Sequence, residues 1–301
     1  MSYVRRRGCA EFNVRICQGI EMNTLSVVIP VLDEVDHLGE CLTLLLDQGD
    51  DIDRIVVVDN GSTDGTLQLV DNVRAVTNKV VLVHEPNRGV VHARNTGFDL
   101  VESSIIGRID ADTRVRPGWA RSIVDFFDEH ATVAATGGRT FLYESPWARP
   151  LAWMHSRAER REPSVRSALA VSGNNFAIRA SAWRTVRGAV SERTCVHEDI
   201  DLCLCLAAEH LPVAQNGWMK AAVSGRRATT SPVKYVHYAL AGYRSYEEHG
   251  LASRKLGRIV AMDWLMHTLR WPISRVFAAV PCRALPVDDR AESDERMRAA
   301  A

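Results

Sequence analysis

Residues 25–59 read LSVVIPVLDEVDHLGECLTLLLDQGDDIDRIVVVD, and this stretch decides the fold class. Two short apolar runs, Leu25–Pro30 and Arg54–Asp59, have the length and β-branched content of buried strands. Between them, residues 34–47 carry apolar side chains at helical spacing. A strand, a helix and a strand in this order form a βαβ unit, whose right-handed crossover covers one face of a parallel sheet. The pattern continues outward. A helix is expected over Thr63–Val73, a strand over Lys79–His84, a helix over Val90–Leu100, a strand over Ile105–Ile109 and a helix over Trp119–Phe127. The chain is therefore read as α/β, with a Rossmann-like, mainly parallel sheet flanked by helices. Ligands in such sheets bind beyond the carboxyl ends of the strands.

Past residue 130 the alternation weakens. Strands are expected over Val133–Phe141 and Ala170–Ile178, and helices over 145–160 and Ile200–His210. From Arg226 to about residue 280 the pattern is helical. The boundaries read as an irregular extension over 1–21, an α/β domain over 22–215, a helical C-terminal part over 216–284, and a charged, disordered tail over 285–301. Met22, just before the first strand, is a plausible start. No stretch of about 18 uncharged apolar residues suggests a membrane span. Ile259–Val280 comes nearest, but Asp263, Arg270, Pro272 and Arg275 interrupt it. It reads as a helix packed on the α/β domain, with a membrane-surface helix as the second reading.

Composition narrows the partners. The 301 residues carry 37 basic and 37 acidic side chains, so no global field points to nucleic acid. Seven cysteines at irregular spacing form no disulfide framework. Without a signal-peptide pattern they suggest a cytoplasmic setting, with peripheral contact at the inner face of the membrane as the variant. Cys203 and Cys205, with His197 upstream, lack the paired spacing of a zinc site and read as buried structural cysteines.

Four polar clusters fall at strand or helix ends. Gly107-Arg108-Ile109-Asp110-Ala111-Asp112 closes the fourth strand. In an extended segment Asp110 and Asp112 project to the same side and could share a hard divalent cation with a diphosphate. An Asx turn closing the strand is the competing reading. Asp59-Asn60-Gly61-Ser62-Thr63-Asp64 follows the second strand; capping explains half of it, while Asp59 suits hydrogen bonding to a base or ribose. In Asn87-Arg88-Gly89 and Ala93-Arg94-Asn95-Thr96-Gly97, Arg94 is equally a phosphate or nucleobase ligand and a solvated arginine. Glu198-Asp199-Ile200-Asp201-Leu202 opens a helix, where acidic residues cap and complement the dipole. Asp199 could alternatively be a general base for an acceptor hydroxyl.

Taken in order, Val27-Val28-Ile29-Pro30 with Glu34, the Asp59 cluster, Asn87-Arg88-Gly89 with Ala93–Gly97, Asp110-Ala111-Asp112, Gly173-Asn174-Asn175 and Glu198–Leu202 resemble the family-2 glycosyltransferases over residues 24–210. The resemblance implies a GT-A fold and a hexosyltransferase-type enzyme. Such an enzyme moves one sugar from a nucleotide diphosphate sugar to an acceptor hydroxyl, usually with inversion. It implies that Pro30, Glu34 and Asp59 line the nucleotide pocket, that Arg94, Asp110 and Glu198 contact substrate, and that Asp199 is the base. It also implies that Asp110 and Asp112 hold Mn2+ or Mg2+. The acceptor could be a glycan, a lipid-linked molecule or a small molecule.

Two departures stand out. Asn60 replaces an aspartate of many relatives, and the Q-x-x-R-W segment of processive synthases is absent, which favours single addition. A polyprenyl-phosphate glycosyltransferase at the membrane surface and a non-catalytic nucleotide-sugar-binding protein are the alternatives. Arg226-Arg227 reads as a surface pair and His237 as a core histidine, against phosphate and metal roles.

Overall fold

The computed structural model describes residues 23–145, 148, 165–168 and 171–278. The extension 1–21, the tail 285–301 and nearly all of the helix expected over 145–160 lie outside these residues. The strands are β1 (Leu25–Val31), β2 (Arg54–Asp59), β3 (Val80–His84), β4 (Ile105–Ile109), β5 (Thr113–Val115), β6 (Ala135–Tyr143), β7 (Val165–Ser167), β8 (Asn175–Arg179) and β9 (Val213–Ser224). The helices are α1 (Val35–Leu46), α2 (Thr66–Arg74), α3 (Val90–Leu100), α4 (Trp119–Glu129), α5 (Ala180–Val186), α6 (Glu198–Ala208), α7 (Pro232–Glu248) and α8 (Arg254–Ala278).

One sheet runs in the order β3-β2-β1-β4-β8-β6-β9-β5, with β7 also paired to β9. The first four strands are parallel, as the βαβ reading requires. Their register sets Val31 beside Asp59 and Asp59 beside His84, so three carboxyl ends lie abreast. Period-2 alternation divides the core. Leu25, Val27, Ile29, Ile55 and Val57 pack with Leu38, Leu42 and Leu45 of α1 on one face. Val28, Val56 and Val58 pack with Phe98, Phe176 and Trp183 on the other. Close approach of α3 to the sheet depends on Gly97, where a Cβ would meet Val28 Cγ1 at 2.3 Å.

Beyond β4 the sheet becomes mixed. β8 is antiparallel to β4 and to β6, while β9 is parallel to β6 and antiparallel to β5. The 12-residue β9 was not expected from the sequence, because Asn216-Gly217 reads as a turn and breaks its alternation. In the structure that dipeptide opens a bulge: Gly138 pairs with Asn216, but Arg139 pairs with Lys220. The expected boundary at 215/216 falls inside β9, which runs to Ser224; beyond it the chain is helical in α7 and α8. Helix α8 packs back on the start of α7 and the chain just before it: Trp264 donates to the Pro232 carbonyl, Trp271 to the Thr229 carbonyl, and the His267 ring meets the Thr230 carbonyl. Among the described residues no helix is long and apolar enough to cross a membrane.

Candidate active site

The loops after β1 and β2 are tied together at the carboxyl edge. Asp33, at φ 54°, accepts from Thr63 N at 2.7 Å, and Asp33 N donates to Ser62 Oγ at 3.0 Å. Asp59 is 3% exposed and accepts from Gly61 N and Ser62 N, with His84 Nδ1 at 3.4 Å. Burial pushes its carboxyl up, but the hydrogen bonds from Ser62, Gly61 and His84 outweigh that and hold it below the usual carboxylate range. Asn60 has a positioning role: it accepts from Gly89 N and donates to the Glu85 and Asn87 carbonyls. Its amide thereby pins the Asn87-Arg88-Gly89 loop, a role that needs both a donor and an acceptor. Pro30 is partly buried in β1 beside Val58.

Between β4 and β5 the chain turns tightly, with Thr113 N donating to the Asp110 carbonyl at 3.0 Å. The expected extended geometry of Asp110-Ala111-Asp112 is corrected by this turn, and the same-side argument does not apply. Each carboxylate is held by its own arginine: Arg108 Nη2 lies 2.9 Å from Asp110, and Arg226 Nε 3.0 Å from Asp112. Arg226 also grips Glu34, at 2.9 and 2.6 Å. Burial raises the Asp112 carboxyl; Arg226 opposes the rise, while Asp110 and Glu34 add to it. Arg226 and Arg227 are both exposed, as a surface pair is, but Arg226 is not merely solvated: it pairs with two acidic side chains, Glu34 and Asp112.

A cleft of about 610 Å3 opens on the other side of Asp110. Asp199 lies in it at the first turn of α6, accepting from Gly173 N at 2.7 Å and from Ile200 N at 2.8 Å. Gly173 is required by the packing, since a Cβ there would lie 2.4 Å from Arg108 Nη1 and 3.2 Å from Asp199 Oδ2. Of the next two residues of that motif, Asn174 also lines the cleft and Asn175 is structural. Asn175, fully buried, accepts from Trp119 Nε1 and donates to the Arg139 and Met219 carbonyls. Glu198 is paired with Arg108 at 3.1 Å and also lines the cleft.

Arg94 does not reach this cleft, a correction to its expected contact with substrate. Its side chain is wholly buried, donating to the Glu198 carbonyl at 2.9 Å and to Asn95 Oδ1 at 2.8 Å beside the Phe98 and Trp183 rings. A guanidinium without exposed surface supports the start of α6 from beneath. Burial lowers its pKa to about 10, the Glu198 charge opposing. His237 is corrected as well: it is exposed and lines the cleft with Arg227, Tyr238 and Arg244. Sequence reading missed this wall because α7 follows the last recognisable motif. For Arg226 a signal existed, a basic pair directly after a strand end, but it is visible only once β9 is identified. Cys203 and Cys205 are buried, as expected.

The geometry can be set beside known proteins. The family model described as glycosyl transferase family 2 matches residues 26–187. The chain is 33% identical over 187 residues to the pre-mycofactocin glycosyltransferase of Mycobacterium tuberculosis, covering 60% of this chain and 38% of that protein. It is 30% identical over 116 residues to glycosyltransferase AglE of Haloferax volcanii, covering 38% of this chain and 36% of that one. The matches thus span little more than a third of these curated relatives. Among solved structures, the mannosyltransferase PcManGT from Pyrobaculum calidifontis, in complex with GDP-Man and Mn2+, superposes with a TM-score of 0.60 at 18% identity. That match covers 93% of this chain and 81% of that one. Staphylococcus aureus TarS in complex with UDP-GlcNAc gives 0.56 at 16% identity, over 72% and 65%. These likenesses establish the GT-A fold. With its family model matched over more than half of its length, the chain belongs to glycosyl transferase family 2.

Proposed function

We propose that this protein transfers one sugar from a nucleoside diphosphate donor to an acceptor hydroxyl, with inversion at the anomeric carbon. The observation that carries the reading is the placement of Asp199 in the same polar cleft as Asp110, its carboxylate fixed by Gly173 N. Donor base and ribose would meet Pro30, Glu34 and Asp59 at the abreast ends of β1 and β2. The acceptor would enter against α7. Asp199 takes the proton from the attacking hydroxyl as the new carbon–oxygen bond forms. The bond to the diphosphate oxygen breaks on the opposite face of the sugar. Holding both reactants in one cleft supplies much of the rate.

A divalent ion fits the donor side. Asp110, Asp112 and Glu34 offer only oxygen ligands, and the Arg108 and Arg226 guanidiniums already answer their demand for a cation. Asp112 with Asp110 would hold Mn2+ or Mg2+, which would neutralise charge on the leaving diphosphate. Arg226 and Arg108 fix the two carboxylates for that task.

A specific observation favours a lipid-linked acceptor as the finer reading. Helix α8 leaves Ile259, Met262, Leu265, Leu269, Val276 and Phe277 exposed, alongside Arg258, Arg270 and Arg275. An apolar face with basic neighbours suits peripheral contact with an anionic membrane surface. Release of nucleoside diphosphate from a panel of UDP-, GDP- and TDP-sugars, with and without manganese, tests the main reading. Metal-dependent release from one donor is expected; absence of both release and calorimetric binding across the panel overturns it. Activity that rises with anionic vesicles supports the lipid reading, and indifference to vesicles removes it.

A further inference from the structure

A second cluster of ligating side chains lies on the far side of α6 from the cleft. Asp201 and Cys205 stand four residues apart, on one face of the helix. His249, the residue that ends α7, reaches across, its Nε2 2.8 Å from Asp201 Oδ1. One ligand atom from each of the three lies within 4.8 Å of the other two. Asp201 and Cys205 are 1% and 2% exposed, and His249 is largely buried.

The surroundings have the features of a metal centre. Asp201 Oδ2 accepts from Ser191 N at 2.8 Å, so one oxygen is held from behind and the other faces His249. A cavity of about 360 Å3 opens onto all three side chains, with Glu209 and Glu248 at its rim. That volume admits an ion with a water or a rim carboxylate as its fourth ligand. Gly250, at φ 68°, turns the chain away after His249, and Leu251 N closes the helix by donating to the Tyr246 carbonyl. The imidazole is therefore presented from a fixed helix end.

We propose that Asp201, Cys205 and His249 bind Zn2+, with water or a rim glutamate as fourth ligand. A thiol, an imidazole and a carboxylate make a borderline-soft donor set that suits zinc, in contrast to the oxygen-only set of Asp110 and Asp112. Tetrahedral zinc keeps its ligands about 3.3–3.8 Å apart, so the 2.8 Å Asp201–His249 contact opens to admit the ion and the Cys205 sulfur, within 4.8 Å of both, completes the set. Coordination displaces the thiol proton of Cys205 to solvent. The ion would staple α7 to α6, the helix that carries Asp199 two residues before Asp201. It would thereby fix the cleft wall formed by His237, Tyr238 and Arg244.

The test uses the full chain stripped of metal by a chelator. Zinc is then added alongside excess Mn2+, which occupies oxygen-donor sites, and the bound zinc is counted by elemental analysis. One tightly held zinc per chain is expected, with proton release on binding. Co2+ in its place should give a thiolate charge-transfer band and tetrahedral d–d bands. Both signatures should vanish in Cys205→Ser and in His249→Gln, and persist in Cys203→Ala. His249 lies at a helix end, so its variant remains informative should the buried Cys205 change unfold the chain. No retained zinc in the wild type, or equal zinc and an unchanged cobalt spectrum in His249→Gln, overturns the proposal.

Discussion

Arg226 Nε lies 3.0 Å from the Asp112 carboxylate, and the terminal nitrogens of the same guanidinium hold Glu34. A cation delivered from just beyond β9 thus faces acidic groups delivered by the loop after β1 and the turn after β4. No two of these three residues are close in sequence. The charge balance of the donor side therefore depends on Arg226.

Arg226→Ala should separate two affinities in opposite directions. Losing a positive charge beside Asp112 favours a bound cation, so Mn2+ affinity should rise. Nucleotide affinity should fall, because one fewer cation faces the diphosphate. Arg226 is about half exposed, so each effect is about 0.2–1 kcal/mol, up to a few-fold. Calorimetry of Mn2+ and of nucleoside diphosphate on both proteins checks the sign. Parallel changes in the two affinities would refute this account of the guanidinium.

Asp59 gives a pH dependence whose sign is determined. Its folded pKa lies below the usual carboxylate range, burial being outweighed by the hydrogen bonds it receives. The native state therefore binds its proton less readily than the unfolded chain does, and the stabilisation is fully present above the unfolded pKa. It is lost as pH falls through the folded pKa. Asp59→Asn should cost about 1.5–3 kcal/mol at neutral pH, the range of a hydrogen bond to a charged group. Urea unfolding should show that gap closing below about pH 4. A gap that stays constant down to acid pH would mean the charge is irrelevant.

Asp199→Asn should lower turnover by about 10²–10⁴ while donor binding changes little. The amide oxygen can still accept from Gly173 N, the contact that holds the side chain across the cleft, at the loss of the local one from Ile200 N. Single-turnover transfer beside donor calorimetry separates the two effects. Normal turnover would place the base elsewhere.

Gly173→Ala acts on the same carboxylate from behind. The new methyl meets Arg108 Nη1 at 2.4 Å and crowds Asp199. A displacement of even 1 Å at a reacting group costs about 10²-fold in rate. The expected result is a large fall in kcat with little change in donor KM. A loss confined to KM would show that Gly173 serves the donor instead.

How much of this was legible beforehand varies with the element. β1 to β4 were readable because each is a continuous apolar run bounded by helical patterns, and their carboxyl ends held Asp59 and Asp110. β9 was not, because a bulge at Asn216-Gly217 looks like a turn until its partner β6 is known. The wall of Tyr238, His237 and Arg244 was hidden for a different reason. Their placement depends on where α7 packs, and no local pattern encodes that. Arg94 shows the converse: a forked cation near a binding motif reads as a ligand, yet burial decides its role and sequence does not display burial.

Arg94→Ala therefore offers the clearest contrast between a ligand and a support. If Arg94 bound donor phosphate, alanine would weaken donor binding and leave stability nearly intact. The structure argues the reverse, since the side chain has no exposed surface and spans from α3 to the carbonyl of Glu198 at the start of α6. Truncation removes a large buried side chain between the Phe98 and Trp183 rings and leaves the Glu198 carbonyl and the Asn95 amide oxygen without that donor. The combined cost should be about 3 kcal/mol or more, read as a lower urea midpoint at unchanged slope. Donor affinity of the remaining folded fraction should stay close to wild type, because Glu34, Asp59 and Asp112 are anchored by other partners. Turnover should fall, since α6 carries Asp199 one residue beyond the carbonyl that Arg94 holds. Unchanged stability with a tenfold loss of donor affinity would return Arg94 to the binding site.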